Sequence, residues 1–274
     1  MHSRLIKFIG YDIRNGLLRK WTVFLVTAIA SLIAIEQTDI TIKEGATGID
    51  YILGIFSGMS RFYISPDAVF NIPFLWFVFM IIPAFLIGDY AVDDLNAYGI
   101  QLIVKSRSKL SWWISKTIWC LISVITYFIV IFAVIGGYAL ATGRPLVGDS
   151  RNWCEYAGVY TSVDIGELVL HGIVVPALTI FTLCMMQMLF SLIFGALTAY
   201  VIIIVYDILA AYITYPVFIG NYSMLLRDRA YVYDGLDYSQ GMIIELTLLV
   251  LTFITGMFIM KKTALFKYSR NMVE

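Results

Sequence analysis

His171 stands four residues after Glu167, one helical turn, which would set an imidazole beside a carboxylate as a possible acid–base pair. Asp207 and Glu245 each have apolar neighbours on both sides, and Glu36 ends the run TVFLVTAIASLIAI. An ionised group at mid-bilayer costs at least about 2.5–3.5 kcal/mol, so such residues face a cavity or a partner. By the topology derived below, all five lie toward the outer surface. There they could line a shared vestibule for a polar or cationic group, and they are the candidates for a translocation path. More familiar chemistry finds little support. His2 and His171 are the only histidines, no glycine is followed by lysine, and neither HExxH nor GxSxG occurs. That excludes a P-loop, a HExxH zinc site and a nucleophile elbow. Cys120, Cys154 and Cys184 suggest neither a disulfide framework nor a metal-ligand spacing. An intramembrane enzyme using His171 with Glu167 remains an alternative reading, as does a passive channel or scaffold subunit.

The elements that must position these residues are membrane helices. Of 274 residues, 60% are hydrophobic and 14% charged, too few polar groups to cover a soluble globule. Six apolar spans can be drawn, at about 21–42, 70–88, 117–141, 168–187, 190–211 and 242–260. Each runs to roughly 20 residues, the length that crosses a hydrocarbon core of about 30 Å. Pro176 is expected to kink the fourth span, and Gln187 and Ser191 to mark a tight turn before the fifth. The small-x-small sequence AIAS at 28–31 falls inside the first apolar run, which is therefore read as a span and not a cleaved leader. Residues 1–20 read as an amphipathic helix on the inner leaflet: Leu5, Ile6, Ile9, Ile13 and Leu17 share one sector, opposed by Lys7, Arg14, Asn15 and Arg19. Phe8 and Leu18 break that pattern. A disordered basic leader is the simpler alternative.

Orientation follows from lysine and arginine. Residues 1–20, 89–116 and 261–274 carry thirteen, against six in 36–69, 142–167 and 212–241. Both termini and the 89–116 loop are thus expected in the cytoplasm, with 261–274 as a cytoplasmic tail. The fold class is an all-α, multi-pass protein of the cell membrane. Segments 51–66 and 212–241 are apolar but too short to span. They could be ordinary loops or short helices on the outer leaflet, and Gly54 and Gly58 could allow close packing. Formal net charge is zero, and no nucleic-acid partner is expected.

The loop between the second and third spans holds KSRSKLSWWISK at 105–116, preceded by DDLNAYG at 93–99. Ser108 can cap a helix starting at Lys109 that runs on into the third span. Trp112, Trp113 and Lys116 suit an anchor at the inner interface. Lys105, Arg107 and Lys109 are left over by that role and suggest a docking patch.

Together with the topology, this loop resembles the permease subunits of the type-2 ABC exporter superfamily. Asp94 and Gly99 resemble that family's acidic residue and glycine, Ser108-Lys109 its serine–arginine pair, and Ser115-Lys116 the small residue and lysine seven positions on. Lysine replaces arginine at 109, aspartate stands for the commoner glutamate, and an upstream proline is missing. The resemblance implies a coupling helix that docks on a separate cytoplasmic ATPase, through Asp94, Gly99, Lys105, Arg107, Lys109, Trp112, Trp113 and Lys116, with Gln187 near a smaller second contact. It further implies a dimer of permeases, of one kind or two, that carries out no covalent chemistry. ATP and Mg would bind in the partner ATPase, with no cofactor in this chain. Aromatic-rich spans fit export of an amphipathic or hydrophobic cargo such as an antimicrobial peptide, lipid or drug.

Overall fold

A computed structural model describes residues 2–42, 45–63, 69–96, 98–106, 108–148, 151–159 and 165–262, and the regular elements among them are all helical, with no strand. Helix α1 (His2–Asp12) passes through a π-turn (Ile13–Leu17) and a 3₁₀ turn (Leu18–Lys20) into α2 (Trp21–Ile42). After α3 (Gly48–Phe56) comes α4 (Phe74–Ile87), entered through Pro73 and containing Pro83. Short helices α5 (Tyr90–Asn96) and α6 (Tyr98–Ser106) lead to α7 (Lys109–Thr142). The rest comprises α8 (Arg151–Ala157), α9 (Ile165–Val169), a π-turn (Leu170–Val174), α10 (Val175–Phe194), α11 (Ala196–Tyr212), 3₁₀ turns at Ile219–Ser223 and Leu225–Arg227, and α12 (Tyr238–Lys262).

Five stretches are long and apolar enough to cross a membrane: Leu5–Ile42, Phe74–Asn96, Lys109–Thr142, Gly166–Phe194 and Tyr238–Lys262. The fifth expected span corresponds to Ala196–Tyr212, a shorter apolar helix. At 1.5 Å per residue α7 is about 50 Å long, well beyond a hydrocarbon core of about 30 Å. Its ends are built for that length. The Ser108 hydroxyl accepts the Ser111 N–H at 3.2 Å, and Gly143 closes the helix at φ +69°, a conformation that costs glycine little.

Helix α10 is the hub, packed against α4, α7, α11, α12 and the Ile219–Ser223 turn. Aromatic rings fill the space beside it: Phe56 stacks on Phe128, and the Tyr127 hydroxyl donates to the Phe79 carbonyl at 2.9 Å. Cys120 and Cys184 meet across α7 and α10 as free thiols.

Several expectations are corrected. The turn between the fourth and fifth spans lies at Gly195, whose φ of +91° suits only glycine well, and not at Gln187–Ser191. Gln187 is buried within α10 and donates to the Ala84 carbonyl at 2.9 Å. Near Pro176 the chain adapts through the π-turn just before it, leaving the proline in the first turn of α10, where its missing N–H matters least. Segment 48–56 does not lie on a leaflet surface, since Tyr51, Leu53, Ile55 and Phe56 are enclosed by protein. Gly54 is what lets it approach α2, because a Cβ there would sit 2.5 Å from Thr38 Oγ1. Residues 219–228 are likewise enclosed, folded back into the bundle as a plug. On the N-terminal helix the protein-facing stripe is Phe8, Asp12 and Gly16, while Ile6 and Leu18 are exposed.

Candidate functional site

The loop residues singled out in the sequence converge on one buried cluster. Lys116 lies two turns into α7, with Ser115 and Trp112 on neighbouring faces. Its ammonium meets Asp94 Oδ2 of α5 at 2.8 Å and also pairs with Asp12 Oδ1 of α1. Asp94 further accepts the Trp112 indole N–H at 2.7 Å, and Asp12 accepts the Tyr90 hydroxyl at 2.8 Å and the Ser115 hydroxyl. The rings of Tyr90 and Trp112 flank the cation at 4.3 and 5.2 Å. Gly99 closes the cluster: a Cβ at 99 would lie 2.5 Å from the Asp94 carbonyl and 2.6 Å from its carboxylate. Two carboxylates and one ammonium leave one negative charge, which three neutral donors address.

Trp112, Trp113 and Lys116 are therefore not an interfacial anchor. All three are fully enclosed, with Trp113 packed on Gly256 of α12 and its indole N–H donating to the Phe253 carbonyl at 3.0 Å. The reason is the Asp12–Lys116–Asp94 network, which gives the lysine better partners than water at the membrane surface would. Enclosed side chains make no direct contact with a partner. What the cluster presents outward is α6 with the exposed Lys105, and the half-buried Lys109 at the start of α7. Arg107 lies outside the described residues.

The five path candidates differ in burial. Glu36 and Glu167 are exposed, while His171, Asp207 and Glu245 are buried. His171 turns away from Glu167: in the π-turn Leu170–Val174 its Nδ1 pairs with Asp228 Oδ2, and its ring packs edge-on against Tyr238 and Tyr231 at 4.3 and 5.6 Å. Asp228 also accepts the Ala230 N–H at 2.9 Å. Glu245 accepts the Thr179 hydroxyl of α10 through one carboxylate oxygen, leaving the other without a hydrogen bond. Both Asp207 oxygens are without one. Asp207 shares the buried face of α11 with Ala199, Ala210 and Ala211, and Glu245 that of α12 with Gly241 and Gly256.

Arg227 holds the plug in place. Its guanidinium donates to the carbonyls of Ala210 (2.5 Å), Ala211 (2.5 Å) and Met59 (3.1 Å), and to the Asn221 side-chain oxygen. A cation on the last carbonyls of α11 is favoured by the helix dipole and satisfies acceptors that a helix end leaves open. Burial pushes Arg227 down to about 10, still charged at neutral pH. Burial, with Glu245 nearby, pushes the Tyr222 phenol in the same plug up to about 12.

Asp12, Asp228 and Arg227 escaped the sequence reading. Asp12 had left a signal: it follows Phe8 by four residues, so an acid and an aromatic share one face of an otherwise basic amphipathic helix. Asp228 and Arg227 left none, since their partners are set by how the 213–231 segment folds back.

No curated protein and no solved structure matches the chain. Residues 23–268 match a family described as "Protein of unknown function (DUF2705)", and with nearly the whole sequence covered, the chain belongs to that family.

Proposed function

We propose that this protein is the membrane-spanning permease subunit of an ATP-driven ABC exporter, with six spans, both termini in the cytoplasm, and a dimeric translocation path for an amphipathic or hydrophobic cargo. A membrane chain without a P-loop either borrows a partner's ATP or conducts passively, and this reading takes the first course. One observation supports the reading above others: Asp94, Gly99, Trp112, Ser115 and Lys116, scattered over 23 positions, close into a single buried cluster. That cluster fixes the short helices α5 and α6 rigidly against α1 and α7, as a lever pushed by an ATPase requires. Lys105 and Lys109 then form the contact surface, and the enclosed residues transmit the push.

The experiment is co-purification with the ATPase and measurement of its turnover in the reconstituted complex. Lys105→Glu is expected to weaken association and permease-dependent turnover without lowering thermal stability, and adding Lys109→Glu to abolish them. Unchanged association would remove the coupling role. A site-based reading rests on the buried His171–Asp228 pair. It gains only if His171→Ala abolishes an activity while ATPase coupling persists.

A further inference from the structure

Between α1 and α2 the chain widens into the π-turn Ile13–Leu17, where the Leu18 N–H reaches the Ile13 carbonyl. Arg14 lies in this π-turn and Arg19 in the 3₁₀ turn that follows it. Two depressions of about 560 and 480 Å³ flank this segment; Arg14 lines the first, Arg19 and Lys20 the second, and Tyr11 and Asn15 line both. Through those two shared residues the depressions adjoin as a cleft, with one arginine lining each part.

The charges in the cleft are unevenly answered. Lys20 pairs with Asp89 at 2.7 Å, and Asp94 is held by Lys116. Arg14 and Arg19 are exposed and have no ion pair or hydrogen bond among the described residues. Asp93, also exposed, lines the cleft as a carboxylate without an ion pair. The same segment of chain, from α1 into the start of α2, carries three bare apolar side chains: Ile6, Leu18 and Trp21, each more than 60% exposed.

We propose that this cleft binds the phosphodiester headgroup of an anionic phospholipid from the adjoining leaflet. Two guanidinium groups suit phosphate oxygens. Leu18 and Trp21, where the first span begins, then meet the acyl chains, and Asp93 can accept a hydroxyl of the headgroup. A soluble acidic protein would satisfy the arginines but leave those apolar side chains in water, so a lipid fits better. The inference does not depend on the ATPase reading.

Native mass spectrometry of the full chain in detergent tests it, with phosphatidylglycerol, phosphatidylcholine and inorganic phosphate as probes. Phosphatidylglycerol should be retained over phosphatidylcholine, with each arginine contributing about fivefold. Arg14→Gln with Arg19→Gln should lower that preference about twentyfold, while Arg14→Lys with Arg19→Lys keeps most of it. The charge-matched Lys261→Gln with Lys262→Gln should leave it intact. Equal retention of the two lipids, or equal loss in the two neutralised variants, overturns the site in favour of diffuse surface charge. Displacement of the lipid by inorganic phosphate overturns it in favour of a free-anion site. Protection of Arg14 and Arg19 from phenylglyoxal by the ATPase, but not by phosphatidylglycerol, would mark a protein dock instead.

Discussion

Lys116 carries a charge that only its two carboxylate partners make tolerable in an enclosed site. Lys116→Met would strand Asp12 and Asp94 and is expected to cost about 3–5 kcal/mol. Adding Asp12→Asn and Asp94→Asn should recover most of that loss, because an apolar residue among neutral amides leaves no buried charge. Thermal unfolding in detergent, followed by size-exclusion fluorescence, separates the two outcomes; equal stability of single and triple variants would show the network to be unimportant. Arg227 obeys the same logic at the other end of the bundle. Arg227→Ala leaves the Ala210, Ala211 and Met59 carbonyls without its N–H donors. Amide exchange across Ile219–Arg227 should then rise at least tenfold, the equivalent of about 1.4 kcal/mol of local opening, while the middle of α10 stays protected. Uniform change across both segments would mean that the plug is not a separate unit.

At the scale of elements, the helices come together where side chains are absent. A Cβ at Gly256 would overlap the Trp113 ring, and one at Gly241 the Tyr222 ring, whereas Gly137 on α7 has open space around it. Gly256→Ala should therefore destabilise by about 1–3 kcal/mol through overpacking. Gly137→Ala should be neutral, or stabilise by up to about 1 kcal/mol through helix propensity. Matching melting shifts for both would refute the packing argument. These elements were unevenly legible in the sequence. The apolar runs and the Ser108 cap could be read directly, because hydrophobic length and capping are local properties. The break at Gly195 was missed because the Gln187–Ser191 polarity looked like a turn, although Gln187 was answering a carbonyl on another helix. Pairings such as His171–Asp228 depend on tertiary geometry, and the local Glu167–His171 spacing pointed elsewhere. The loop motif was found, but as a surface; nothing in sequence distance linked its lysine to Asp12.

For the whole molecule, the distribution of lysine and arginine sets a testable topology. A cysteine at Tyr233, which is 97% exposed, should react with a membrane-impermeant maleimide in intact cells as Tyr233→Cys. Lys105→Cys should react only after permeabilisation, and the three native cysteines are buried and stay silent. The reverse pattern would invert the orientation and take the Lys105–Lys109 surface out of an ATPase's reach. One contact also constrains the order of assembly. Asp12 and its ammonium partner are separated by 104 residues of chain, so translation delivers the acid long before the base. Through that interval Asp12 lacks its native ammonium partner, and so does Asp94. The network that ties α1, α5 and α7 together therefore closes only once the helix carrying Lys116 has been made, which ties the seating of the first helix to the arrival of the third long one.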